Sequence, residues 1–559
     1  MIPGLPPLVL LETVTLGSDA SSVTLPASGT IAGHANFPAG SKHVVCIWQG
    51  RSTTATTGDQ GTNINVNGDT GAGKYDLQRL DGVNTSGTLL AYWESGTTWS
   101  NLAAHTGDNQ DAGFFSPGSL IIPHAFGTDN FTGVVAANGI GEQRVRFGMG
   151  QWEDTAAITS VLFTPSSDNW KAGSSFSLYV VDESYLVSSG EQIISGSAAA
   201  FNDVDVPSQV GDISIVSYLR SSYAATADNI MLDVNADAAQ DYYARQLLYG
   251  LDGGTAQASQ AVYGRQIGGA NGNNADGNHF APGLTSLSAF DDGNYDCHVL
   301  HLGGHRSVTA AGGLAMLSSL NRTHGTKAIT KVNLTPANSS TWEIGSGMWV
   351  YAVPKTLLQR QVVSGSAAAD ITFTLSGLTI PSTTTDLRLH IYAQKNASSA
   401  VDIDLELNSD STAANYDYVR MYGAVSTATA DASAANQRVS GMPGTDSQGN
   451  ASANKGFGGG TILFKDYASD SKHKHYLSSY GTAERAALML SGRWESTDAI
   501  ATIKLTPNAG SFSIGSIFEL EAIHGSLGWA GTVNGLANPA KVMGVERENI
   551  EKVMGVSSA

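Results

Sequence analysis

Asp402-Ile403-Asp404-Leu405-Glu406-Leu407 alternates charged and aliphatic side chains without a break. That period of two puts one set of side chains on each face of a β-strand. Outward from this run comes a marker: Asn408, Asp410, Tyr416 and Gly423. The same residues at the same internal spacing stand at Asn67, Asp69, Tyr75 and Gly82, and again at Asn235, Asp237, Tyr243 and Gly250. Further on, a Thr-Pro pair closes a β-rich run at Ile158 to Pro165, Ile329 to Pro336 and Ile500 to Pro507, so the prolines are 171 residues apart both times. A Gly-Ser step opens each unit at Gly17, Gly196 and Gly365, and SGSAAA occurs verbatim at Ser195 and Ser364. The chain is one unit written three times.

A unit of this length is the size of a self-sufficient domain and far longer than a solenoid repeat. Three domains are expected, over residues 1–183, 184–355 and 356–524, arranged as a rod or as a compact pseudo-threefold ring, with 525–559 as a C-terminal assembly segment. Arg388-Leu389-His390-Ile391-Tyr392 and Arg144-Val145-Arg146-Phe147 alternate like the opening run, long helical periodicity is nearly absent, and 64 glycines help to punctuate the chain. The fold class expected is all-β: three tandem antiparallel β-sandwiches, each with one apolar face and one face toward water. The aromatics Trp170, Trp342 and Phe512, each three residues before a glycine, are read as core.

Charged residues make up 14% of the chain and the formal net charge is −19, which disfavours nucleic-acid binding through a basic surface. No apolar run reaches the length of a membrane-spanning helix, so no membrane insertion is expected, and Met1 to Pro7 lacks the basic start of a secretion signal. Cys46 and Cys297 stand at non-equivalent positions, so no repeated disulfide framework is present.

Familiar catalytic signatures are missing: there is no Gly-x-Ser-x-Gly, no His-Glu-x-x-His and no Gly-Lys-Ser/Thr loop. No catalytic residue, metal or cofactor is assigned. His298 and His301, beside Cys297, fall on opposite faces of a strand and do not converge without a bulge. The Asn-x-Asp pairs offer oxygen ligands at alternate positions, as calcium would want, and equally suit side chains that close turns. A carboxylate pair of glycosidase type stays open, because spacing along the chain does not give separation in space.

The stretches 83–120, 251–283 and 424–456 show little periodicity and read as long loops, the part of a domain that tends to carry function. The first holds Tyr92, Trp93 and Trp99, which are candidates for stacking on sugars or for capping the sandwich. Trp152, after Gly-Gln, and its equivalent Trp494, after Gly-Arg, are candidates for an exposed platform or a domain contact; the second unit has Thr323 there. Val145, Phe147 and Met149 share one side of their strand, which puts Trp152 on the other.

The set Asn67-x-Asp69-x-Gly71-x-x-x-Tyr75, then Gly150-x-Trp152-x-x-Thr155-x-Ala157-Ile158, then Thr-Pro and Gly173-Ser174-x-Phe176-x-Leu178-Tyr179 resembles a jelly-roll-like module of tailed-bacteriophage structural proteins. All three units carry the resemblance; the second lacks the Trp, and the third ends in Glu519-Leu520-Glu521. The resemblance implies a non-enzymatic virion protein on the particle surface, in a tail fibre, tail tip, head spike or decoration. Implied partners are other virion proteins, a homo-oligomer and host-surface glycans. Two rivals are a glycan-degrading tail enzyme and a bacterial carbohydrate-binding adhesin. The C-terminal segment doubles a motif, Lys541-Val542-Met543-Gly544-Val545 and Lys552-Val553-Met554-Gly555-Val556. Trp529, Val542, Met543, Val553 and Met554 are therefore assembly candidates, since so short a segment buries no core of its own.

Overall fold

The computed structural model describes residues 5–56, 59–83, 89–140, 143–196, 201–206, 212–225, 227–235, 243–251, 257–261, 266–274, 278–288, 298–305, 314–322, 329–338, 340–353, 356–382, 384–396, 401–424, 427–442, 457–481 and 487–524, with four two-residue strands beyond. It is all-β, with antiparallel sheets that form sandwich-like domains. The first unit has twelve strands: β1 (Leu8–Thr15), β2 (Val23–Leu25), β3 (Val44–Gly50), β4 (Asp59–Val66), β5 (Tyr75–Val83), β6 (Leu89–Gly96), β7 (Trp99–Thr106), β8 (Ser116–Ile122), β9 (Thr132–Ile140), β10 (Arg144–Trp152), β11 (Val161–Pro165) and β12 (Ser175–Val181). They form an eight-stranded sheet, β1-β12-β3-β8-β9-β10-β5-β6, and a four-stranded sheet, β2-β11-β4-β7.

That order is a wrapped ribbon. β1 pairs with β12, β2 with β11, β3 with β8 and β4 with β7, the nested pairing of a jelly roll. Two further hairpin strands pairs, β5–β6 and β9–β10, extend the larger sheet. The second and third units repeat both strand orders. Among the described residues a single pair, Gln257 with Thr427, joins the larger sheets of the second and third units.

Inside the first unit the small sheet packs on one face of the large one. Leu25, Ile64 and Phe163 from the small sheet meet Cys46, Trp48, Leu120 and Phe176 from the large sheet in one core, together with Trp170. Trp342 and Phe512 occupy the same place in their own cores, and the two indole N–H groups donate to Phe163 O and Leu334 O. The core reading of these aromatics holds.

The expectation that the outer face of each large sheet meets water does not. β3, β8 and β9 are buried along their whole length on both faces. Val45, Ile47, Val135, Val145 and Phe147 from the first unit, Val216, Leu284 and Trp349 from the second, and Val419, Met421 and Leu477 from the third form one shared core. The three units pack against one another through this core, in keeping with the ring of the two arrangements open from sequence. Apolar side chains on both faces of a strand leave a second face that only a neighbouring sheet can dehydrate. The repeated glycine of the marker shows how close the approach is: a Cβ on Gly82 would lie 3.2 Å from Met421 Cβ and 3.5 Å from Ala430 Cβ of the third unit.

The three contacts run in one direction. The start of β3 and its counterparts place His43, Asp212 and Asp386 at equivalent points, and the first two look onto the next unit while Asp386 holds Lys465 of its own. His43 packs 4.8 Å from Trp349 and 6.0 Å from Tyr351. Asp212 meets Arg388 and His390 of the third unit. The third unit returns to the first, where Gln49 donates to Asp466 at 2.6 Å and Lys472 donates to Gln49 at 2.6 Å. A head-to-tail contact that closes after three steps makes a ring, here within one chain.

Candidate functional site

The repeated Asn, Asp and Tyr build one turn. Asn67 has φ 56°, in the left-handed region. Its Oδ1 accepts from Thr159 N at 2.6 Å, Thr159 Oγ1 at 2.9 Å and Ser160 N at 3.3 Å, while its Nδ2 donates to Ala157 O. Asp69 Oδ1 accepts from Gly71 N, and its Oδ2 accepts from Trp152 Nε1 at 2.8 Å. Tyr75 Oη donates to Asp69 O at 3.0 Å and accepts from Val66 N at 3.1 Å. Asn408, Asp410, Tyr416 and Trp494 make the same bonds in the third unit save the hydroxyl one, since Ala501 stands where the first unit has Thr159. Asn235 clasps Thr330 and Lys331 in the second. These oxygens serve as turn acceptors, the second of the two readings open from sequence.

Trp152 and Trp494 are therefore not exposed platforms, which corrects that expectation. Each is buried in its own sandwich, opposite the face that carries Val145, Phe147 and Met149 in the first unit. Trp99 is buried as well; its Nε1 donates to Gln151 O, and its ring meets Tyr75 edge-on at 5.3 Å. The stretch that holds it is not a long loop but the strands β6 and β7, and the two matching stretches likewise contain strands. Tyr92 and Trp93 lie half-buried on β6, with the Arg79 guanidinium 4.5 Å from the Tyr92 ring centre. Trp529, Met543, Val553 and Met554 lie outside the described residues, and Val542 pairs with Val545 in a two-residue ladder. Cys297 also lies outside them, whereas His301 is buried, touches Thr285 Oγ1 at 2.9 Å, and is held down to about pKa 3 by burial.

The chemistry-bearing clusters sit between the units. At the contact of the second and third, Asp212, His390 and Glu521 bring one ligand atom each within 4.8 Å of one another, all buried. Arg388 completes the group: its Nη2 lies 3.1 Å from Asp212 and 2.7 Å from Glu521. Burial alone would lower the His390 pKa, but Glu521 and Asp212 outweigh it and hold it up at about 9. Burial pushes Glu521 up, and His390 with Arg388 outweighs that to hold it at about 2. Two cations face two anions, which is how a buried charge cluster is tolerated.

At the contact of the third and first units, Arg493 Nε donates to Asp417 Oδ2 at 2.8 Å, and Arg493 also pairs with Glu495. The guanidinium lies 4.2 Å from the ring centre of Phe114 in the first unit. The equivalent place at the contact of the first and second units holds Asp76, Gln151 and Glu153. Gln151 stands directly across from Asp76, as Arg493 stands across from Asp417. Here His279 of the second unit enters, with Nε2 3.5 Å from Glu153 Oε1. Asp76, Glu153 and His279 place their ligand atoms within 4.8 Å of one another, and Asp76 and His279 are buried. Sequence reasoning missed both clusters. The one available signal was the exchange of Gln for Arg before the matched Trp152 and Trp494.

No protein-family model matches this chain, and no curated protein matches it. Among solved structures, the exo-inulinase from Aspergillus awamori aligns over 85% of this chain and 96% of its own at 9% identity, with a TM-score of 0.22. The xylan beta-1,4-xylosidase from Bacillus halodurans C-125 aligns over 84% and 99% at 8% identity, with a TM-score of 0.12. The translocator domain of autotransporter NalP from Neisseria meningitidis aligns over 81% and 89% at 8% identity, with a TM-score of 0.08. Likenesses this distant carry no argument about fold or function.

Proposed function

We propose that this chain is a non-enzymatic structural protein of a tailed-phage virion, displayed on the particle surface. The observation that supports this reading is the closed ring: three copies of one jelly roll, with one shared core, offer near-equivalent surfaces about one axis. A body of that symmetry suits attachment to a particle that has threefold or sixfold positions. The resemblance of the three units to phage modules supplies the virion, and the acidic surface suits a protein kept apart from nucleic acid.

In this proposal the partners are other virion proteins. The head-to-tail contact is consumed by closure within the chain, so a homo-oligomer would form through a different surface. Contact with host-surface glycans is assigned to the β6 region, through the half-buried Trp93. Immunogold labelling of purified particles with an antibody against this chain tests the reading. Gold at the tail tip supports it as a receptor-contacting protein, and gold over the head supports it as a spike or decoration. Particles without gold overturn it.

A further inference from the structure

Where the third unit touches the first, an amine and a carboxyl are held face to face. Leu387 of the strand Thr384–Ala393 pairs with Phe464 of the strand Gly458–Lys465, so Asp386 and Lys465 follow as the next facing residues. Lys465 Nζ donates to both oxygens of Asp386, at 3.1 and 3.3 Å, and the two side chains are 16% and 6% exposed. Asp466 completes the group: its Oδ1 lies 3.3 Å from the same Nζ, and its N–H donates to Asp386 Oδ1 at 2.9 Å. From the first unit, Gln49 donates to Asp466 Oδ2, and Tyr179 lies within electrostatic reach of all three residues. The first unit has His43, Pro123 and His124 at these places, with the His124 N–H donating to His43 Nδ1 at 3.0 Å. The second unit has Asp212 but Ser288 in place of the lysine. The amine and the carboxyl thus occur together here in the third unit and not in its copies.

We propose that Lys465 and Asp386 join through an amide bond between their side chains, formed by the folded chain itself with Asp466 as proton carrier. One proton first moves from the ammonium to Asp386, which leaves an amine beside a carboxylic acid. Nζ attacks Asp386 Cγ, a C–N bond forms, and the nitrogen's surplus proton passes through Asp466 to a carboxyl oxygen. The C–O bond breaks and that oxygen leaves as water. One ammonium and one carboxylate give one amide and one water, with nothing oxidised or reduced. Burial pushes the Asp386 carboxyl up against the pull of Lys465, while Asp386 and Asp466 outweigh burial to hold the Lys465 ammonium above its usual range. The ion pair is therefore the resting form, and a dry place lowers the cost of its neutral counterpart. A bond made once in the life of the chain needs only a small neutral fraction, because groups held in contact react with an effective concentration of roughly 10⁵–10⁸ M. The bond closes a loop between residues 79 positions apart, which restricts the unfolded chain as a disulfide does.

Intact-mass spectrometry of the full chain tests this, with a protease digest searched for the branched peptide that joins Asp386 to Lys465. The chain is expected to be lighter than its sequence by one water molecule, and the branched peptide is expected to be present. Lys465→Arg keeps the ion pair but cannot make the bond, so it is expected to fold, to show the full sequence mass and to unfold at a lower temperature. That variant keeps the test decisive if Asp386→Ala fails to fold. Asp466→Asn is expected to keep the fold and leave most of the chain at full mass. An unaltered chain at full sequence mass overturns the bond, and so does a loss of water that persists in Lys465→Arg. Complete bond formation in Asp466→Asn overturns the role of Asp466.

Discussion

Trp152 donates its indole N–H to Asp69 at 2.8 Å, and Trp494 donates to Asp410 at the same distance. The bond ties the end of β10 to the turn between β4 and β5. It couples two sequence markers, the Asn-x-Asp pair and the matched tryptophan, into one device. Asp69→Ala removes an ionised acceptor and leaves a buried indole N–H without it. The expected loss is about 1.5–3 kcal/mol in urea unfolding, with Asp69→Asn losing less because its amide oxygen still accepts.

Asn67 combines a left-handed backbone with three accepted hydrogen bonds. Asn67→Gly forfeits the bonds but keeps the backbone at no steric cost, whereas Asn67→Ala forfeits both. Alanine is expected to destabilise more than glycine by about 1 kcal/mol. Equal unfolding midpoints for the two variants would remove the conformational part of the argument.

The His390 cluster makes the contact of the second and third units sensitive to pH. His390 has a folded pKa of about 9, above that of an unfolded imidazole near 6.5, so its contribution is whole below about pH 6.5 and is lost as pH rises through 9. Glu521 is depressed to about 2, so its contribution is present above about pH 4.5 and is lost as pH falls through 2. Asp212 and Arg388 face both groups, and Glu521 and Asp212 outweigh burial to hold the Arg388 guanidinium above its usual range. Stability attributed to His390 is on the order of 3 kcal/mol, so a fall in unfolding free energy between pH 7 and pH 10 is expected. His390→Gln should flatten that fall. An alkaline limb unchanged in His390→Gln would show that other groups govern it.

Trp93 is the remaining half-exposed indole of the β6 region, and the proposed glycan contact rests on it. Trp93→Ala is expected to lower adsorption of particles to host cells several-fold while far-UV circular dichroism stays the same. Adsorption at the unaltered level would remove β6 from the receptor contact.

The sequence by itself determined the class of the fold, the threefold copying and which side chains share a face in the strands that alternation marks. Alternation and repeat spacing are local properties, and the physics that reads them is local too: Trp170, Trp342 and Phe512 are core, and Trp152 lies opposite Val145, Phe147 and Met149, as the strand period requires. What covers each face is not local. Alternation marks β6 and β7 only weakly, because β7 is buried almost throughout within its own sandwich and β6 is half-buried along most of its length, and so they read as loop. Only the tertiary structure decided that the outer faces meet in a shared core, and that Asp212 finds Glu521 and Asp76 finds His279 across unit boundaries. Closure of the ring brings these residues together, and ring closure depends on the shape of three finished domains, which no spacing along the chain records.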